Sequence, residues 1–239
     1  MRLGIKYAAM DSRYQFVVVL VFAIVLLVTV VIFIVPAFLP GSSSNETKQL
    51  AAVEVRSYQG KDLSSINDLR INTITGVQYV NVSDYNLTVT GLTNTTKVLT
   101  YRDILDKHQH YSKVVTLFCV EGWDATILWE GVLVRDLINE AGIDPRANTV
   151  IFYATDGYTT SFPLSYVMDN DIIMANKMNN VTLPAANGYP FRLVAEDKLG
   201  YKWIKWIDRI ELSDDPNYRG YWEQRGYSNS GNLSGSQYG

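Results

Sequence analysis

The only cysteine of the chain, Cys119, follows the apolar run Val114-Val115-Thr116-Leu117-Phe118 and opens the segment Cys119-Val120-Glu121-Gly122-Trp123. A lone thiol cannot close an internal disulfide, so it serves either as packing or as a ligand. Packing is the ordinary fate of a free cysteine. Its position argues for the second role. A β-branched, strand-like run ends there and leads straight into a glycine turn, which is where binding groups are commonly mounted.

A second group of residues lies downstream. Asn187-Gly-Tyr-Pro-Phe-Arg192 places an amide and a guanidinium across a turn, and Gly200-Tyr-Lys202-Trp203-Ile204-Lys205-Trp206 places two lysines among aromatics. A buried phosphate needs donors of these kinds: backbone amides at a glycine, the planar fork of arginine and an ammonium charge. The alternative is a solvated basic hairpin with its tryptophans in the core, and the Gly-x-Lys-x-x-Lys spacing alone does not separate the two. Lys198, on the approach to this turn, reads as a surface charge. His108 and His110, the only histidines, lie on a polar stretch and cannot complete a metal site without nearby carboxylates. With no other histidine beside a nucleophile, a hydrolytic triad is excluded.

The elements that must hold these groups are mostly strands. Asn86-Leu-Thr-Val-Thr-Gly91 alternates apolar and polar residues as a half-buried strand does. Thr100-Tyr-Arg-Asp103 predicts a capping box opening a short helix through Leu105. The run 113–120 predicts a buried strand, 132–142 a helix stopped by Gly142, and 149–153 another strand turning at Asp156-Gly157. Strands over 190–195 and 206–212 close the domain, and Asp214-Asp215 reads as a turn into Pro216. Strands outnumber the short helices, so the expected class is α+β with mixed β-sheets.

The chain has 239 residues. The uncharged stretch Phe16 to Leu39 exceeds the roughly 20 apolar residues that a membrane-crossing helix needs. It is also longer than the roughly 7–15 apolar residues of a cleaved signal peptide, so a retained transmembrane anchor is expected. Arg2, Lys6 and Arg13 precede it, which places residues 1–15 in the cytoplasm and everything beyond the span outside, at the cell surface. Sequons at Asn45, Asn81, Asn86, Asn94, Asn180 and Asn232 agree with external placement and make glycosylation an expectation. Residues 40–48 then read as a flexible polar linker, 49–227 as one domain and 228–239 as a disordered tail. The formal net charge is −3, and three of the basic residues lie ahead of the span. Such a surface is wrong for nucleic acid.

Taken in order, Cys119-Val-Glu-Gly-Trp123, Trp129-Glu-Gly, Asp156-Gly-Tyr158, Asn187-Gly-x-Pro-x-Arg192, Gly200-Tyr-Lys-x-x-Lys205-Trp and Gly220-Tyr-Trp-Glu223 resemble the molybdopterin-binding oxidoreductase domain of the sulfite oxidase superfamily. The resemblance covers about Asn86 to Tyr227. It implies a molybdenum–molybdopterin cofactor whose metal is bound by Cys119, thiolate being a soft, strongly donating ligand. Asn187 and Arg192 match family positions that contact the cofactor, and Lys205 with the backbone at Trp203 and Ile204 matches the phosphate-binding turn. Ala154 or Thr155 falls where the family presents a threonine, with Thr155 preferred for its hydroxyl. Tyr158, placed by the Asp156-Gly157 turn, is the candidate for the substrate side.

The resemblance is closer to the bacterial methionine-sulfoxide reductase branch than to animal sulfite oxidase. Glu121-Gly122-Trp123 stands where the latter carries an arginine, so sulfite is a poor candidate substrate. The implied activity is oxygen-atom transfer to or from a small molecule. Neither a cytochrome b5-like segment nor an immunoglobulin-like domain is recognisable, and no stretch suits a one-electron centre. A redox partner, either a cytochrome (free or membrane-integral) or an iron–sulfur carrier, is therefore expected. The rival expectation is a cofactor-free surface binding module that keeps the fold, motivated by the sequons and by the lack of an adjacent arginine pair near the amino terminus. The two differ in the cavity: open and basic as far as Cys119 in an enzyme, filled by tryptophan or tyrosine in a module.

Overall fold

The computed structural model describes residues 43–239. The expected anchor, 16–39, and the segment 1–15 lie outside them. Among the described residues no helix is long and apolar enough to cross a membrane.

Two five-stranded sheets make the body of the domain. The first runs β10 (Val181–Thr182), β9 (Ile173–Met178), β6 (Asp124–Leu133) and β5 (His110–Phe118), with β11 (Arg192–Val194) also pairing with β9. The second runs β4 (Lys97–Thr100), β3 (Asn86–Gly91), β12 (Ile207–Ser213), β7 (Thr149–Ala154) and β8 (Thr159–Pro163). β12 lies parallel to β3 and antiparallel to β7, so the second sheet is mixed as the strand-rich pattern implies. A small hairpin joins β1 (Ser57–Tyr58) to β2 (Lys61–Asp62). The class is α+β with short helices.

Local chemistry accounts for the elements. In β3 the apolar positions Leu87 and Val89 are fully buried while their neighbours face outward, the period of two that marks a half-buried strand. The helix α2 (Tyr101–Lys107) starts on a complete capping box, with Thr100 and Asp103 each bonding the other's backbone amide. Such a cap contributes about 1 kcal/mol. In α3 (Val134–Ala141), Val134, Leu137, Ile138 and Ala141 face the core at helical spacing, and Gly142 at φ 73° ends it. Of the remaining helices, α4 spans Leu164–Asp169 and α1 spans Ser43–Ala51.

Three expectations change. The run 113–120 reads as a buried strand, but β5 is an edge strand and only Val115 and Leu117 are buried in it. β6, which lies between β5 and β9, is the buried strand of the hairpin. Within the expected linker 40–48, the residues from Ser43 belong to α1, where Glu46 accepts a bond from the Ala185 amide. The tail 228–239 is ordered. Its carbonyls serve buried donors: Gly231 O accepts from the Leu199 amide, Asn229 O from Lys202 Nζ and Ser228 O from the Tyr201 hydroxyl. Ser/Gly/Asn composition cannot reveal partners that the fold supplies from elsewhere.

Candidate functional site

Cys119 is the first residue after β5. The chain reverses tightly there, with the Cys119 amide bonded to Trp123 O at 2.9 Å and the Gly122 amide to Cys119 O at 3.1 Å. Gly122 takes φ 80°, a conformation natural to glycine. Gly200 packs beneath the turn: a Cβ there would stand 3.3 Å from Phe118 O and 3.5 Å from Cys119 Cα. The thiol is half-buried. Burial pushes its pKa up, while neighbouring backbone amides and Arg70 pull it down and the Glu121 carboxylate opposes them. This is the environment of a protonated thiol, not of an activated nucleophile.

Cys119 lines a cavity of about 450 Å³. On the same cavity lie Tyr158, Asn187, Arg192, Trp203, Ile204 and Lys205, so six more of the seven other sequence candidates converge on it. Thr155 does not: its side chain is exposed, its amide bonds Trp206 O at 3.1 Å, and the neighbouring Asp156 lines the cavity instead.

The cationic wall is unusual electrostatically. Arg192 is buried beside the indoles of Trp129 and Trp203, at 4.9 and 5.9 Å from their centroids, and its Nη1 donates to Asn187 O at 3.2 Å. No carboxylate pairs with it among the described residues, and its Nε and the Asn187 Oδ1 are left without partners. Desolvation lowers its pKa to about 9. Lys205 Nζ donates to Asn72 O at 2.7 Å and Ala186 O at 3.2 Å and lies over Trp206. Burial first, then repulsion from Arg192, brings its pKa down to about 7 against a weaker pull from Asp156. Gly188, at φ 115°, lets the two stems approach: a Cβ there would sit 3.0 Å from Arg192 Cβ and 3.1 Å from Lys205 Cβ. A buried and a half-buried cation side by side without a counter-charge are costly unless an anion joins them.

Other groups are structural. The amides of Trp203 and Ile204 are engaged inside their own turn, on Gly200 O and Lys202 O, so Lys205 itself supplies the cationic donor of this segment. Lys202 points the other way, fully buried against Glu223 at 2.6 Å. Lys198 is not the surface charge expected: it is buried, lies over Tyr166 and bonds Asn232. His108 bonds Ile104 O and Glu140, and His110 bonds Leu105 O. Tyr158 donates its hydroxyl to Tyr201 O, and burial followed by the Glu223 charge raises its pKa well above the ordinary value, so it remains a phenol.

Sequence reasoning missed one wall altogether. The irregular segment carrying Arg70, Ile71, Asn72 and Thr73 also lines the cavity, and Asn72 O holds Lys205. It has no period to detect, and only the fold brings it there.

The cavity is open and basic, with the thiol and the uncompensated cations on the same walls, not filled by aromatic side chains. Such a site suits a soft metal carrying an anionic organic ligand. The chain belongs to the oxidoreductase molybdopterin-binding domain family, whose profile matches residues 74–222, more than half of its length. It is 31% identical over 150 residues to the uncharacterized oxidoreductase YuiH of Bacillus subtilis, a match covering 62% of this chain and 75% of the relative. It is 32% identical over 153 residues to the putative protein-methionine-sulfoxide reductase subunit YedZ1 of Azospira oryzae, covering 64% of this chain and 57% of that one. Among solved structures, the sulfane dehydrogenase SoxCD of Paracoccus pantotrophus superposes with a TM-score of 0.58 at 25% identity, over 61% of this chain and 42% of that chain. The chain is thus a member of the molybdopterin-binding oxidoreductases.

Proposed function

We propose that this is a membrane-anchored, extracytoplasmic oxidoreductase that moves an oxygen atom to or from a small neutral substrate, with its metal held by Cys119. The observation that carries the reading is the sharing of one cavity by a thiol, a buried arginine whose Nε has no partner, and a half-buried lysine, neither cation paired with a carboxylate. The donors fit the cofactor. Cys119 would offer a soft ligand, Arg192 and Lys205 would hold an anionic group such as a phosphate, and the unpartnered Asn187 Oδ1 would accept from an N–H donor. When bound, the cofactor supplies two-electron oxygen-atom chemistry, and the protein supplies position and electrostatics.

The residues of the chain divide the remaining work. Cys119 must lose its proton to bind metal, so loading releases one proton at this sulfur. Trp129 and Trp203, whose rings touch each other, both lie against the Arg192 guanidinium and shield it from water. Tyr158, a phenol at all working pH values, presents a ring to the cavity with its hydroxyl fixed on Tyr201 O. Glu121, held by the Trp123 indole at 3.2 Å, places a negative charge beside the thiol and disfavours anionic substrates. A sulfoxide or thioether fits that environment better than sulfite, in line with the likeness to the putative methionine-sulfoxide reductase subunit YedZ1. Anchoring and placement rest on the apolar span 16–39 and the charges ahead of it.

The test is metal analysis of the full chain made in a molybdenum-competent host. We expect about one molybdenum per chain in the wild type and none in Cys119→Ser. Equal, negligible metal in both would sink the reading. Protease protection in intact cells tests the outward placement, which predicts cleavage of the domain from outside.

A further inference from the structure

Six aromatic residues of the carboxy-terminal region and of β8's turn form an unbroken set of ring contacts leading from the cavity to the surface. Tyr158, on the cavity, stacks on Tyr221 at 5.5 Å between centroids; Tyr221 meets Trp222 at 5.4 Å, Trp222 meets Tyr227 at 5.2 Å, and Tyr227 meets Tyr238 at 5.4 Å. Tyr201 joins at Tyr227, at 5.0 Å. Tyr158, Trp222 and Tyr227 themselves line the cavity, whereas Tyr238 is 63% exposed. A ring so exposed adds little burial to the fold, so packing does not account for the outer end of the run.

The charges around that end differ from the rest of the molecule. The chain as a whole carries a net charge of −3. From Pro216 to Gly239 its charged side chains are Arg219, Glu223 and Arg225, and Glu223 is wholly buried against Lys202. The exposed side-chain charges of this carboxy-terminal segment are therefore two arginines. Arg225 lies flat over Tyr221, 3.6 Å from the ring centroid, and donates to Tyr221 O at 2.6 Å.

We propose that the face formed by Tyr238, Tyr227 and Arg225 is the docking surface for an acidic one-electron carrier protein, with the aromatic run as its electronic contact to the cavity. The proposal rests on the oxidoreductase reading above and deepens it by naming where the partner binds. Tunnelling falls steeply with distance, and touching π-systems couple better than empty space. Each docking event passes one electron across this contact, one side oxidised as the other is reduced, with no bond made or broken. Two events complete a two-electron turnover. Exposed aromatic side chains flanked by arginine are the composition of binding hot spots, and the positive rim selects an acidic partner.

The test uses the full-length chain in mild detergent without metal, so it reports on docking whether or not the cofactor loads. Binding is measured to an acidic plant-type ferredoxin and to a basic c-type cytochrome. The acidic carrier is expected to bind more tightly, with an affinity that falls as salt rises. Arg225→Glu and Tyr238→Ser are each expected to weaken it by about tenfold, whereas Tyr79→Ser, an exposed tyrosine outside the face, leaves it unchanged. Tighter binding of the basic carrier, or wild-type affinity in both Arg225→Glu and Tyr238→Ser, overturns the proposal. In loaded enzyme, Tyr238→Ser should raise KM for the carrier and leave turnover with a small dye untouched. An unchanged KM counts equally against it.

Discussion

Lys205 concentrates the electrostatics of this protein in one side chain. Its pKa in the folded chain, about 7, lies below the ordinary 10.5 because burial and Arg192 disfavour the charge. Between those two values the unfolded chain carries a proton that the folded chain lacks. Stability of the empty protein therefore rises with pH across that window, by up to about 1.4 kcal/mol per unit. Arg192, lowered to about 9 by burial, acts in the same direction further up. Above about pH 10 the raised tyrosines Tyr85 and Tyr158 reverse the slope, because only the unfolded chain releases their protons there. Melting of the metal-free chain from about pH 7 to about pH 9 should climb, and Lys205→Met should flatten part of the climb. A flat wild-type profile would mean that these cations are better solvated than the structure has them. That this residue shares a cavity with Cys119, Asn187 and Arg192 was legible only through the family resemblance that the order of the motifs carries. The place of Lys202 was not. Three residues from Lys205, it sits in a 3-10 turn (Gly200–Lys202) that directs it behind the cavity wall.

The elements were readable where a single face decides them and unreadable where a partner does. β3, β7, β12, α2 and α3 each show their burial in sequence as alternation, helical spacing or a cap. The Arg70–Thr73 segment and the tail have no period, and their order comes from carbonyls that accept from distant donors. One joint holds several of these elements together. Lys202 Nζ bonds Glu223 Oε1, Ser161 O and Asn229 O, and Glu223 Oε1 also accepts from Thr160, tying β8, the Gly200–Lys202 turn, the Glu223–Arg225 turn and the tail. Both side chains have zero exposure. Removing one partner strands the other, so Lys202→Met should destabilise by about 3–5 kcal/mol in chemical denaturation. Adding Glu223→Leu removes the stranded charge, and the double variant should be more stable than the Lys202→Met single. If the double variant is the weaker of the two, the pair is worth more than a buried ion pair ordinarily is, and the joint depends on its hydrogen bonds instead.

Across the whole molecule the two sheets and the irregular segments between them leave one basic cavity, and that cavity is where binding and stability must be coupled. A group that binds the folded chain and not the unfolded one stabilises every element at once, by an amount set by its affinity. The loaded domain should therefore melt above the empty one, and the difference measures the cofactor's hold. Lys205→Ala removes one of the two cations proposed to hold the phosphate. Truncating one partner of a buried charge pair costs about 2–5 kcal/mol, at least a thirty-fold loss of affinity. The proper control is Lys61→Ala, on the exposed hairpin strand Lys61–Asp62, because Lys198 is buried over Tyr166. An exposed charge such as Lys61 contributes little. Cofactor retained per chain and the loaded-minus-empty melting shift should fall together in Lys205→Ala and stay at wild-type levels in Lys61→Ala. The empty forms provide the second check. Lys205→Ala without cofactor should be no less stable than empty wild type at and below about pH 7, where the folded wild type carries the desolvated charge. A variant that loses stability when empty but keeps its cofactor would show that Lys205 is part of the scaffold, held by Asn72 O and Ala186 O, and that the phosphate is bound elsewhere.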